Sequence, residues 1–169
     1  TAIRLLEQTL EQNPGPYNQA LLAEARGARA EASQNAAHFD EALKLARSVT
    51  QEDPGDMHAL MVLARIHLGL AGLPCINGQS DASAYDEALS LGQRLHDREK
   101  SNKRYALVLA ESLRGRERVT PVRVGTDRSQ TPLRQKRCAL VGDFLRNDPE
   151  DARFQALNDG CPEKITGRE

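Results

Sequence analysis

Tryptophan is missing, aromatics make up only 4% of the 169-residue chain, and neither charge sign dominates, the net charge being −1. Near neutrality removes the global field that would draw a chain to DNA or to a membrane surface. No C-x-x-C occurs, so zinc and thioredoxin-like readings have no support. The three cysteines, Cys75, Cys138 and Cys161, are odd in number and widely spaced. They read as free thiols in a reducing compartment, with one disulfide plus a free thiol as the alternative for an exported chain. Among the four histidines (His38, His58, His67 and His96), none lies three or four residues from another, as a metal pair on a helix would. There is no G-x-S-x-G and no phosphate-binding glycine loop. The expectation is a protein that is not an enzyme and holds no metal and no cofactor.

Long apolar runs are also lacking. The most apolar stretch, ALMVLARIHLGLAGLPCI from Ala59, is broken by Arg65 and His67 and ends near Pro74. A membrane span needs about 20 apolar residues without such breaks, so this stretch reads as a buried helix. Thr1 opens directly into a helical pattern, without Met or an apolar leader. The expectation is a piece of a longer, cytoplasmic protein.

What is present is a helical composition. The chain is 39% hydrophobic and 28% charged, which fits a folded protein. Ala, Leu, Glu, Arg and Gln dominate, and all favour helix. Two stretches then say nearly the same thing: FDEALKLARSVTQEDPGD from Phe39 and YDEALSLGQRLHDREKSN from Tyr85, 46 residues apart. In the first, Phe39, Ala42, Leu43, Ala46 and Val49 fall at steps of three and four and form one apolar helix face. In the second, Tyr85, Ala88, Leu89, Gly92 and Leu95 do the same. Asp40 and Glu41, like Asp86 and Glu87, read as first-turn acids that suit the positive end of the helix dipole. Fainter copies open and close the chain, with Ile3, Leu6 and Leu10 at the start and Leu140, Val141, Phe144 and Leu145 near the end. Asn13-Pro14, Asp53-Pro54, a polar break near 100 and Asp148-Pro149 stop the four helices. Other helices lie between them, carrying Leu60, Leu63, Ala64 and His67 in one case and Ala106, Leu109, Ala110 and Leu113 in another.

This order resembles the tetratricopeptide repeat family, whose unit is two antiparallel helices. Leu60, Leu63-Ala64 and His67 match the family's first helix, as do Leu109-Ala110 and Leu113. Phe39, Ala42, Ala46 and Pro54 match its second helix, with Tyr85, Ala88 and Gly92 a partial match. Small residues at these places allow close helix approach. The punctuation marks are 40 to 49 residues apart, longer than the family's period of about 34. The extra residues are expected between the two helices of each unit, at 31–38, 72–84 and 119–131, with lengthened helices as the alternative at 31–38 and a short strand at Val122–Val124 as a minor option.

The resemblance implies an all-α, right-handed helical-repeat array of three to four helix-turn-helix units. The units would be a partial one at 1–14, then 16–54, 56–100 and 101–149, with a capping segment at 150–169. It also implies a protein-protein interaction module, a scaffold or recruiter, that captures a partner's peptide or helix in a concave groove. Carried over by position, the groove takes His58, Met61, Arg65 and Leu68 from one unit. It takes Arg104, Leu107, Glu111 and Arg114 from the next. Three arginines suit a carboxylate-bearing, acidic partner. Arg65 and Glu111 stand where the family's chaperone-tail clamp would have Asn, which argues against that ligand. Self-association through an open end is left open.

Two alternatives stand beside this. One is a regulatory or substrate-docking domain fused to an enzyme or transcription regulator. The other is nucleic-acid contact through residues 114–137, which hold eight Lys or Arg and two acids. That stretch includes Arg116, Arg118, Arg123, Arg128, Arg134 and Arg137, but no aromatic for base stacking. A solvated segment that neutralises acidic neighbours is the plainer reading. Cys138 follows two cations that could lower a thiol pKa, yet it lies in an apolar helix and reads as an inert buried thiol.

Overall fold

The computed structural model describes residues 2–73, 82–121 and 131–162, and all its regular structure is helical. Eight helices follow one another: α1 (Ala2–Gln12), α2 (Pro16–Ser33), α3 (Ala36–Glu52), α4 (Met57–Ala71), α5 (Ala82–Arg98), α6 (Lys103–Val119), α7 (Pro132–Asn147) and α8 (Ala152–Leu157). The repeated phrase is thus a structural repeat: α3 and α5 begin and end 46 residues apart.

The helix starts follow from local chemistry. Asn35, Asp56, Asn102 and Asp151 are N-caps, each side chain accepting a backbone N–H of the first turn at 2.8–3.1 Å. Such a cap contributes about 1 kcal/mol. α2 and α7 open instead on Pro16 and Pro132, where a missing N–H costs nothing. The α2–α3 turn is short because Gln34 takes a left-handed conformation, φ 52°. The segment 31–38 is therefore no inserted loop. It lengthens both helices, α2 to Ser33 and α3 back to Ala36. That start also corrects the role of Asp40 and Glu41, which fall in the second turn of α3, as Asp86 and Glu87 do in α5. Most of the α4–α5 and α6–α7 links (74–81 and 122–130), including Cys75, the expected strand at 122–124, Arg123 and Arg128, lies outside the described residues.

Neighbours in sequence pack on one another, and α2, α4, α6 and α8 also pack in order, each on the next. α3, α5 and α7 pack on members of that row and do not touch one another. The apolar faces read from sequence are the buried ones. Phe39, Ala42, Leu43, Ala46 and Val49 are the buried residues of α3. α4 is buried nearly all round, His67 included. In α5, Tyr85 and Leu89 are only half-buried. Two clusters make up most of the core, one spanning α2 to α6 and one joining α6, α7 and α8. α6 belongs to both. No helix among the described residues is long and apolar enough to cross a membrane.

The C-terminal segment is fastened twice. Cys138, fully buried on α7, forms a disulfide with Cys161, which overturns the free-thiol reading for these two residues. Beside it, Arg137 is buried to 2% exposure. Its guanidinium donates to the Leu157 carbonyl, to the Asp159 carbonyl (3.1 Å) and to Glu117 (3.2 Å). Burial pulls the guanidinium's pKa down and Glu117 opposes that shift. Glu117 also holds Arg134 at 2.5 Å.

Candidate functional site

The row α2–α4–α6–α8 leaves a groove along its free side. Two adjoining cavities occupy it, of about 650 and 490 Å³. Each is in the size range of a small-ligand site. The smaller is lined by His58, Met61, Arg65, Arg104, Leu107 and Glu111, together with Glu24, Val108 and Arg153. The larger takes in Arg65, Leu68, Glu111 and Arg114. All eight residues carried over by position therefore line one groove.

The register explains why. Arg65 and Glu111 are each the ninth residue of their helices, α4 and α6. The ninth residue of α2 is Glu24, which the sequence reading did not include. Glu24 accepts from Arg65 at 3.0 Å. Arg153, near the start of α8, completes a row of alternating sign, Glu24–Arg65–Glu111–Arg153, one residue from each helix. These four residues line both cavities. Glu111 reaches the groove's water but stands among groove walls. Burial raises its pKa, Glu31 adds to the rise, and Arg65, Arg114 and Arg153 pull the other way.

On the two sides of this row the groove differs in character. The larger cavity has an apolar floor of Phe39, Val62, Ile66, Leu68, Tyr85 and Leu157. Its mouth carries Arg114 and Arg118. The smaller has His58 and Arg104 at its far end. His58 packs against the Tyr17 ring, 5.8 Å between centroids, and its buried Nε2 makes no hydrogen bond.

The groove cations divide into two kinds. Arg65 is paired with Glu24, Arg153 with Asp151 at 3.2 Å, and Arg114 donates to the Ala156 carbonyl at 2.9 Å. Arg104 and Arg118 are exposed, and neither side chain has a hydrogen-bonded or ion-paired partner among the described residues.

The described cations of the basic stretch 114–137 do not form one surface. Arg116 is tied to Asp86 at 2.5 Å, Arg134 and Arg137 to Glu117, and Arg118 turns into the groove. Arg137, counted as a surface cation from sequence, is a core residue instead. The sequence carried the signal: Leu133, Arg137, Leu140, Val141 and Phe144 share one helix face. Among the described residues no group of three or more His, Cys, Asp or Glu gathers as a metal site would.

Comparison with protein-family models, with curated proteins and with solved structures finds no match for the chain.

Proposed function

We propose that the chain is a helical-repeat array of the tetratricopeptide type and works as a protein-interaction module. Its groove captures an unstructured segment of a partner protein. The observation that carries this reading is the convergence of eight side chains, chosen by repeat register, on one continuous groove with an apolar lobe and unpaired cations. An apolar floor supplies affinity and arginines supply orientation. The ordered row α2–α4–α6–α8, with α3, α5 and α7 packed on its members, is the layout that stacked helical pairs adopt. Nucleic-acid contact loses support, because Arg116, Arg134 and Arg137 are spent on internal pairs. The disulfide favours an oxidising compartment over the cytoplasm expected from sequence.

The test is a pull-down with and without nuclease, followed by binding of the purified captured protein to variants carrying a photo-crosslinking residue. One variant has it at exposed Ala28 in the groove, the other at exposed Lys44 on α3. Crosslinks from position 28 alone support the reading. Crosslinks only from position 44, or capture abolished by nuclease, overturn it. Alkylation of the protein as extracted, followed by intact-mass measurement, reports on the compartment. Unmodified Cys138 and Cys161 are expected.

A further inference from the structure

The groove's charges are arranged by position as well as by sign. At its middle, Glu24, Arg65, Glu111 and Arg153 alternate in sign, Arg65 being paired with Glu24 and Arg153 with Asp151. A ligand carboxylate placed there would meet Glu111 and Glu24 as well as the arginines. At the two ends the situation is different. Arg104 and Arg118 are exposed and unpartnered among the described residues, and each lines a different cavity. Both belong to α6 and stand fourteen residues apart. At 1.5 Å per residue that is about 21 Å, nearly four full turns, so the two side chains leave the helix on nearly the same face.

The larger apolar wall lies toward Arg118, the smaller cavity having Met61, Leu107 and Val108. Val62, Ile66, Leu68, Tyr85 and Leu157 wall the larger cavity. Its volume of about 650 Å³ accommodates a large side chain. A helix needs about fourteen residues to reach from one arginine to the other. An extended chain covers 21 Å in about six residues and can send alternate side chains into the groove.

We infer that the groove selects an extended acidic segment with two carboxylates about six residues apart and a large apolar side chain beside one of them. One carboxylate pairs with Arg104 and the other with Arg118. The apolar side chain fills the lobe beneath Tyr85 and Leu157. The self-neutralised row between them disfavours further charge at the centre of the segment. This deepens the interaction-module reading and rests on it.

The probe is a displayed library of random peptides of about twenty residues, long enough to hold a fourteen-residue helical spacing, selected on the disulfide-intact protein. Enriched sequences are then made as fluorescein-labelled synthetic peptides. Binding is read by fluorescence anisotropy at several salt concentrations, against wild type, R104E/R118E and L68R. The expected result is enrichment of two Asp or Glu about six apart with a large apolar residue near one. R104E/R118E weakens binding at least a hundredfold, and a peptide lacking either acid loses at least tenfold. Peptides without acids that bind R104E/R118E as well as wild type but fail on L68R overturn the acidic assignment and leave the groove reading standing. Acids spaced fourteen apart on a peptide that turns helical when bound overturn the extended form. Enrichment indifferent to every groove variant, or no enrichment, overturns both. The paired arginines are left untouched in the variants so that folding is preserved, and circular dichroism of each variant checks this.

Discussion

The ring of Phe39 on α3 lies directly over Gly69 on α4. A Cβ at Gly69 would stand 2.8 Å from ring atom Cε1, closer than real Cβ contacts come. The same pair recurs 46 residues on, where a Cβ at Gly115 would overlap the Tyr85 ring. So each aromatic that opens the repeated phrase needs a glycine on the next helix. That glycine also opens the floor of the groove, since both Gly69 and Gly115 line the larger cavity.

Gly69→Ala is therefore expected to destabilise, although Ala ordinarily gains about 0.5–1 kcal/mol over Gly within a helix. Overpacking costs about 1–3 kcal/mol and outweighs that gain, because Phe39 is fully buried. Urea denaturation should show a net loss of about 1 kcal/mol. In a Phe39→Leu background the same substitution should become neutral or stabilising. A loss of equal size in both backgrounds would show that the ring contact is not the cause.

Arg137 is expected to be the most sensitive charged residue of the C-terminal half. Arg137→Leu strips hydrogen bonds from two carbonyls and leaves Glu117 with Arg134 alone. Breaking a buried pair in this way costs about 3–5 kcal/mol, and the surviving Arg134 pair places this case at the low end. Arg137→Lys should recover only part, because one ammonium cannot reproduce the planar fork. Full recovery by Lys would show that charge, rather than geometry, fixes the site.

The disulfide ties residues 23 apart in sequence, and its loss should cost about 3 kcal/mol on the loop-closure estimate. Thermal melts of wild type with and without a dithiol reductant should differ, while Cys138→Ser/Cys161→Ser should melt alike in both conditions. α8 supplies Arg153, Ala156 and Leu157 to the larger cavity. Reduction should therefore raise amide exchange in α8 before it affects α3 or α4. Uniform exchange across all helices would mean that the bond serves global stability only.

These contrasts show what the sequence could disclose. The α3 face was legible because five apolar residues at helical steps all point into the core. The groove was legible because repeat register fixes which residues of α4 and α6 face the free side. Glu24 was overlooked because the register was not carried back to α2, where Leu22-Ala23 stands as Leu63-Ala64 does in α4. Arg137 was misplaced because a charge run was weighed by composition, without regard to its helix face. The Asn158-Asp159-Gly160 sequence marks the turn after α8, where Gly160 takes φ 72°, but that the turn brings Cys161 to Cys138 depends on how α8 packs on α7.

Glu111 supplies the pH dependence. Its carboxyl is raised above the ordinary carboxylate range, first by burial and then by Glu31 on α2. Arg65 on α4, Arg114 on α6 and Arg153 on α8 oppose the rise without cancelling it. The folded chain therefore holds this proton more tightly than the unfolded chain does. Between the ordinary value and the raised one, the folded state binds more protons, so this group's contribution to stability falls as pH rises. It is regained as pH falls through the same window. Glu111→Gln should flatten that slope and leave the protein at neutral pH at least as stable as wild type. Urea unfolding of both proteins at a series of pH values from 4 to 7 measures the difference. A wild-type advantage that grows with pH would mean that the arginines, and not burial, dominate at this position. Removing the charge also tips the alternating row toward its arginines. The same variant should therefore bind an acidic peptide probe more tightly at neutral pH, and the gain should shrink as pH falls and wild-type Glu111 takes up its proton.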